Sequence, residues 1–142
     1  YKKALLKAIT RGRRSCITIG VSVYLASRIK NESLMLLDLS DKINVNVYVL
    51  GNTYVELKEK TGQNVPDIDP CLFIDRFAAS MDLGDKIEPI AAFALKLLQR
   101  IKKDWISTER RPTGITVAAL LVSARIAGFD RNHHDLAHIC KT

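Results

Sequence analysis

The chain has 142 residues, of which 47% are hydrophobic and 26% are charged, and its formal net charge at pH 7 is +7. A chain of this size and composition folds as one medium-sized domain or two small packed units, which excludes a disordered or low-complexity protein. It contains no run of about 18 apolar residues and no apolar stretch near its start, so we expect neither a membrane span nor a secretory signal. Three widely spaced cysteines are typical of reduced thiols in the cytosol or nucleus, not of a disulfide framework.

Hydrophobic periodicity predicts helices along almost the whole chain, beginning with the last two turns of one over 1–9. Residues 15–29 and 113–127 are apolar nearly all round, which is typical of a central helix packed on several sides. Residues 89–107 carry an apolar stripe at steps of three and four, with Pro89 in the first turn. Shorter helices are predicted at 34–42, 45–60, 69–82 and 132–140. No alternating strand pattern occurs, so we predict an all-α fold.

Charge is distributed along the chain in three blocks. Residues 1–30 carry eight Lys and Arg and no acid, residues 31–94 carry five bases against eleven acids, and residues 95–142 carry nine bases against four acids. If the chain folds back on itself, the two basic blocks form one positive surface, which favours a polyanion such as nucleic acid. Ordinary solvated helix faces explain the same composition equally well. We assign the acidic middle block to protein contacts or solvent.

The chain also contains an internal repeat. Shifting it by 97 residues aligns RRSCITIGVSVYLASRI with RRPTGITVAALLVSARI, so in both copies an Arg-Arg pair precedes a helix that ends in Arg-Ile. A short loop then leads to a helix that contains Asp-Leu. One unit is therefore about 97 residues long, and the chain holds parts of two units.

Two tandem units with an almost wholly apolar third helix resemble the cyclin-like repeats of the transcription factor IIB group. Three segments resemble the RNA polymerase III branch of that group, the B-related factor subunits of transcription factor IIIB. These segments are LMLLDLSDKINVNVYVLG (34–51), DIDPCLFIDRFA (67–78) and LLQRIKKDWISTERRPTG (97–114). The resemblance implies two tandem five-helix repeats, at 1–62 and 63–142, joined by a linker near 61–68. The first repeat would lack its N-terminal helices and the second its last helix.

The resemblance also implies a function. It implies a non-enzymatic initiation factor in the nucleus that bridges promoter DNA, the TATA-binding protein and RNA polymerase III, and that meets transcription factor IIIC. The zinc ribbon of the family would lie outside this segment, so we expect no cofactor within it. The alternatives are a polymerase II-type transcription factor IIB and a kinase-binding cyclin. Kinase cyclins typically end the third helix in Lys-x-Glu-Glu, whereas residues 28–31 read RIKN and reverse the charge.

The candidate functional residues are polar, mostly basic side chains near helix ends. Each Arg pair precedes a predicted buried helix, where free backbone N–H groups and the helix dipole favour a phosphate. We therefore predict contacts with the DNA backbone; the alternative is that one Arg of each pair forms an ion pair within the fold. By resemblance, the helix that begins near residue 131 also approaches DNA. The candidates are Arg11, Arg13, Arg14, Lys30, Lys102, Lys103, Arg110, Arg111, Arg131 and Asn132.

Other polar side chains have simpler explanations than a catalytic or metal site. His134 and His138 are one helical turn apart, but a metal site needs two more ligands, so a solvated helix face is expected. Asp67 and Asp69 fit a helix N-cap better than a pair of catalytic acids. The sequence contains no glycine-rich phosphate loop and no nucleophile motif, so no enzyme is predicted.

Two tyrosines in the first repeat's last helix have two possible roles. Tyr48 and Tyr54 either pack the seam between the repeats, which we expect, or form part of a surface for a partner.

Overall fold

The computed structural model describes residues 1–8, 10–12, 14–104 and 110–130. They belong to two compact units, divided after Asp67. Every regular element in these ranges is helical and none is a strand, which confirms the predicted all-α class. The first unit contains α1 (Lys2–Leu6), α2 (Ser15–Ile29), α3 (Leu36–Ile43) and α4 (Val47–Thr61). The second contains a 3-10 helix (Pro70–Phe73), α5 (Ile74–Ala79), another 3-10 helix (Gly84–Lys86), α6 (Ile87–Lys103) and α7 (Pro112–Ile126).

The helices α2 and α7 confirm the internal repeat. The helix α2 has the predicted bounds, and α7 lies 97 residues later with the same length of 15 residues. Their N-caps, Arg14 and Arg111, share an extended backbone, with φ and ψ of −62° and 131° and of −65° and 129°. The helix α7 begins one residue earlier than predicted because Pro112 occupies its first position, where a fixed φ and a missing N–H are tolerated.

The helix α6 is shifted from its predicted position. It begins two residues before the predicted range of 89–107, because the 3-10 helix at Gly84–Lys86 leads directly into it. Pro89 lies in its first turn, as predicted. The helix ends at Lys103, and residues 105–107 of the predicted range lie outside the described residues.

The predicted helix over 69–82 is divided and ends early. Its first turn is a 3-10 helix capped by Asp69, whose carboxylate accepts the N–H of Cys71 at 3.1 Å, which confirms the predicted cap. Asp82 has a φ of 54°, a left-handed conformation that an α-helix does not contain. The predicted helix over 132–140 lies outside the described residues.

The first unit is built around α2, which packs on α3 and α4. Gly20 allows α3 to approach, since a Cβ atom there would lie 3.1 Å from Cδ1 of Ile43. The end of α2 is held by Arg28, whose buried guanidinium donates to the carbonyl oxygen of Pro66. The buried apolar cluster of this unit is Ala4, Ile17, Val21, Leu25, Leu50 and Leu57.

The second unit is built around α7, which packs on α6, α5 and the first 3-10 helix. Phe73 and Phe77 are buried, and their rings stack with centroids 5.7 Å apart. Thr116 is fully buried, and its hydroxyl lies 2.8 Å from the carbonyl oxygen of Pro70 and 3.0 Å from that of Pro112. The bond to Pro70 connects the central helix to the first turn of the unit.

Both central helices bury only part of their circumference among the described residues. The helix α2 exposes Ile19 and Val23 by 47% and 51%, and α7 exposes Val122 by 46%. The prediction that these helices are packed on several sides is therefore confirmed for about half of each helix surface. The other half is exposed. No helix in the described ranges combines the length and the apolar character needed to cross a bilayer.

Candidate nucleic-acid interface

The basic candidates of the first unit lie at the two ends of α2. Arg14 is the N-cap and Lys30 the C-cap of this helix, and both are exposed. Since a helix rises about 1.5 Å per residue, α2 separates them by roughly 24 Å. Arg11 is also exposed and precedes Gly12, whose φ of 76° is a left-handed conformation that favours glycine. Arg13 lies outside the described residues.

The start of each central helix is an electropositive position. Arg14 and Arg111 occupy the two N-caps without a side-chain capping bond, and neither first turn contains an acid. Free N–H groups at a helix start attract anions, and an adjacent guanidinium strengthens that attraction. Both side chains are exposed, as is Arg110. The geometry therefore suits phosphate binding at equivalent points of the two units.

Four predicted basic residues come together at one end of the second unit. Lys102 and Lys103 form the last turn of α6, next to Ile101, and are exposed. Arg110 and Arg111 lie at the start of α7 and border a cleft of about 410 Å³ that also reaches Ile101. The described side chains that line this cleft are Ile101, Arg110, Arg111, Gly114, Ile115 and Ala118. The end of α6 and the beginning of α7 thus form one basic surface.

Lys102 has a competing partner within this surface. Its Nζ atom lies 3.4 Å from Oδ2 of Asp69, and the two side chains are 66% and 43% exposed. Burial opposes ionisation of Asp69, but the hydrogen bonds from Cys71 and the charge of Lys102 together lower the pKa of its carboxyl below the usual value. Because an exposed pair of this kind is worth at most about 1 kcal/mol, a phosphate can still displace the carboxylate.

The same carboxylate affects a neighbouring thiol. Burial, together with the hydrogen bond to Asp69 and its negative charge, raises the pKa of Cys71 to about 11. The thiol is therefore protonated at neutral pH and is a poor nucleophile.

The part of α7 that lines the cleft in the second unit corresponds to a part of α2 that is covered by other helices in the first unit. Ile17 and Val21 of α2 precede Gly114 and Ala118 of α7 by 97 residues, and both are buried in the cluster that includes side chains of α4. The cleft floor is apolar, and the charged groups among its described lining residues are the two arginines at its rim. It resembles a groove for helix packing more than a catalytic pocket, which needs several convergent polar groups.

The two tyrosines considered from the sequence play different parts. The ring of Tyr54 contacts that of Tyr24 edge-on, with centroids 5.1 Å apart, and packs on the buried cluster of the first unit. Tyr48 is 78% exposed. Tyr54 thus belongs to the core of its own unit, because its position on α4 faces α2.

Several predicted sites lie beyond the described ranges. Arg131, Asn132 and the histidines fall after residue 130, so the predictions made for them stay predictions. Within the ranges that are described, no group of three His, Cys, Asp or Glu side chains could hold a metal ion.

Sequence reasoning missed one structural and one possible binding feature of the described chain. Arg28 appears in the repeat alignment without a predicted structural role, yet it is buried and hydrogen-bonded. The signal that could have indicated this is a charged residue inside an otherwise apolar helix. Lys96 and Arg100 of α6 are not among the sequence-derived candidates, although both are exposed basic residues.

The chain matches known proteins over almost its whole length. The family described as Transcription factor TFIIB repeat matches residues 1–60 and 63–142. The chain is 45% identical to the Transcription factor IIIB 90 kDa subunit of Homo sapiens over 141 residues, which are 99% of this chain and 21% of that protein. It is 37% identical to the Transcription factor IIIB 60 kDa subunit of Schizosaccharomyces pombe over 141 residues, or 99% of this chain and 29% of that protein.

A more distant relative is the Transcription initiation factor IIB of Ignicoccus hospitalis. It is 27% identical over 140 residues, which are 98% of this chain and 43% of that protein. The chain thus spans less than a third of the two IIIB subunits, to which it is more similar than to this IIB factor.

Proposed function

Because the chain belongs to the transcription factor TFIIB repeat family, we propose that it is the cyclin-like core of an RNA polymerase III initiation factor. The observation that carries this proposal is the 45% identity with a IIIB subunit against 27% with a IIB factor, each over nearly the whole chain. In this role the chain acts in the nucleus, catalyses no reaction and requires no cofactor. It bridges promoter DNA, the TATA-binding protein and RNA polymerase III, and it also meets transcription factor IIIC.

The mechanism that we propose is positional. Each repeat, at 1–62 and 63–142, places an Arg pair at the start of its central helix, where phosphate is favoured. Contacts with phosphates fix the orientation of a protein on the duplex but carry no direct sequence information. The two repeats therefore hold the DNA at two points, and their remaining surfaces are free to contact protein partners.

A chimera tests the assignment to polymerase III. In the human IIIB 90 kDa subunit, the matched segment is replaced by this chain, and transcription from a polymerase III promoter is measured in an extract depleted of that subunit. We expect transcription to be restored, whereas a chimera with the matched segment of the Ignicoccus hospitalis IIB factor serves as the control. Restoration only of polymerase II transcription, by the equivalent chimera in human IIB, would assign the chain to the IIB factors instead.

Charge removal tests the phosphate contacts. We expect Arg13→Ala/Arg14→Ala and Arg110→Ala/Arg111→Ala to weaken assembly with the TATA-binding protein on promoter and scrambled DNA equally. If each pair contacts one or two phosphates, the slope of log K against log salt becomes shallower by roughly 1 to 2 units per double variant.

The control for these variants is Lys42→Ala/Lys58→Ala, which removes two exposed charges from the acidic middle block. It should leave the slope unchanged, and circular dichroism should show the same helix content in all variants. An unchanged slope together with loss of polymerase recruitment would reassign the Arg pairs to protein contact.

A further inference from the structure

The outer face of α6 carries basic residues beyond the predicted candidates. Lys96, Arg100 and Lys103 follow one another at steps of four and three, so they lie on one side of the helix, and all are exposed. We call these three residues the α6 ridge. The opposite side of the helix is buried through Ile90, Ala94 and Leu98.

The charge of the α6 ridge is not balanced within its own helix. The helix α6 carries four bases and one acid, Glu88 in its first turn, and no acid from Pro89 to Lys103. Just beyond the helix, Asp104 accepts a hydrogen bond from Nε of Arg100 at 3.1 Å, with side chains 44% and 76% exposed. An exposed pair contributes at most about 1 kcal/mol, and the guanidinium keeps its other N–H donors. Arg100 can therefore hold an additional anion.

We infer that the α6 ridge binds backbone phosphates of promoter DNA and extends the contact made by Arg110 and Arg111. This inference rests on the proposed function. Lys96 and Lys103 are seven residues apart, which at 1.5 Å per residue is about 10 Å along the helix. Phosphates of one DNA strand advance about 3.4 Å along the duplex axis per nucleotide and lie farther apart along the winding strand itself, so a ridge of this length faces about two of them.

Two further observations support a DNA backbone as the ligand. Phe93 precedes Lys96 by one turn and is 44% exposed, and it offers an apolar surface to the deoxyribose rings that lie between phosphates. The ridge also ends at the turn of α6 whose Ile101 shares the cleft with Arg110 and Arg111, so both basic features occur at the same end of the unit. Regularly spaced cations suit a polyanion of regular charge better than a protein segment.

The test is a charge-removal variant, Lys96→Gln/Arg100→Gln, which leaves the sequence-predicted candidates in place. Binding of the chain to a complex of the TATA-binding protein with promoter DNA is measured over a series of salt concentrations. We expect the slope of log K against log salt to become shallower by about 2 units and affinity at about 0.1 M salt to fall at least tenfold, on promoter and scrambled DNA alike. The conservative variant Lys96→Arg/Arg100→Lys should restore both values.

Matched variants make the result decisive. Lys42→Gln/Lys58→Gln removes the same charge from exposed positions of the first unit and should leave the slope unchanged. Asp104→Asn removes the acid beside Arg100 and should tighten binding about twofold to threefold, in the range of a surface ion pair.

The outcomes separate this inference from the proposed function. An unchanged slope in the ridge variant, with a flattened slope in Arg110→Ala/Arg111→Ala, overturns the inference and leaves the proposed function standing. An unchanged slope with loss of polymerase recruitment also overturns it and assigns the ridge to an acidic protein. A flattened slope in a chain whose chimera fails to restore polymerase III transcription supports the ridge and overturns the polymerase assignment.

Discussion

Two buried threonines in the central helices differ in hydrogen bonding. Thr18 of α2 is fully buried, and its hydroxyl has no hydrogen-bond partner in the described structure. Thr116 of α7 is also fully buried, but its hydroxyl lies 2.8 Å from the carbonyl oxygen of Pro70. Valine has nearly the shape of threonine without the hydroxyl, so Thr→Val at each position measures what the hydroxyl contributes.

We expect the two substitutions to change stability in opposite directions. A buried hydroxyl without a partner costs about 1–3 kcal/mol, so Thr18→Val should raise the free energy of unfolding by about 1 kcal/mol. Thr116→Val removes a hydrogen bond worth about 0.5–1.5 kcal/mol and leaves a carbonyl with one partner fewer, so it should lower that free energy by about 1–2 kcal/mol.

Urea unfolding followed by far-ultraviolet circular dichroism measures both effects. Thr18→Ser and Thr116→Ser serve as controls, because each keeps the hydroxyl and removes a methyl group, and both should destabilise by about 1 kcal/mol. If Thr18→Val destabilises the chain as much as Thr116→Val does, the hydroxyl of Thr18 is satisfied in the protein and the reasoning is refuted.

Three further predictions concern the buried arginine, the thiols and metal. Arg28→Met should lower the free energy of unfolding by about 1–3 kcal/mol in the same urea assay. Arg125→Met, at the exposed counterpart, should change it by at most about 1 kcal/mol. Equal effects would contradict the stabilising role of the buried Arg28. With a pKa of about 11, Cys71 is about one-thousandth thiolate at about pH 8, so iodoacetamide should label the exposed Cys16 faster, as peptide mass spectrometry would show. Elemental analysis should find no stoichiometric zinc, and one zinc per chain that is lost in His134→Ala would overturn this.

The parts of the fold that could be predicted are those with local signals. The start of α7 depends on Pro112, whose fixed φ and missing N–H act within one turn. The N-cap at Asp69 is equally local. The early end of the predicted 69–82 helix has a weaker signal, because aspartate tolerates the left-handed backbone that Asp82 adopts but also occurs within helices.

The candidate site divides in the same way. Basic residues at helix starts could be identified because a residue that directly precedes a predicted helix must lie at its N-terminal end. The burial of Arg28 could not, because its partner is a carbonyl oxygen 38 residues away. Lys96 and Arg100 became a candidate surface only when the buried side of α6 and the end that it shares with α7 were both known.

The two central helices show why all-round apolar character predicts burial without predicting its direction. In the 97-residue register, the exposed Val23 corresponds to the fully buried Leu120, and the buried Leu25 corresponds to the exposed Val122. Equivalent helices therefore bury largely different sides in the two units, although Thr18 and its counterpart Ile115 are both buried. The helix α2 packs on α4 with the side that, in α7, lines the cleft. Periodicity identifies a buried side only when the other side is polar. A helix that is apolar on every side can pack against neighbours in any direction. The sequence therefore places it at the centre of a unit without showing which of its side chains are buried.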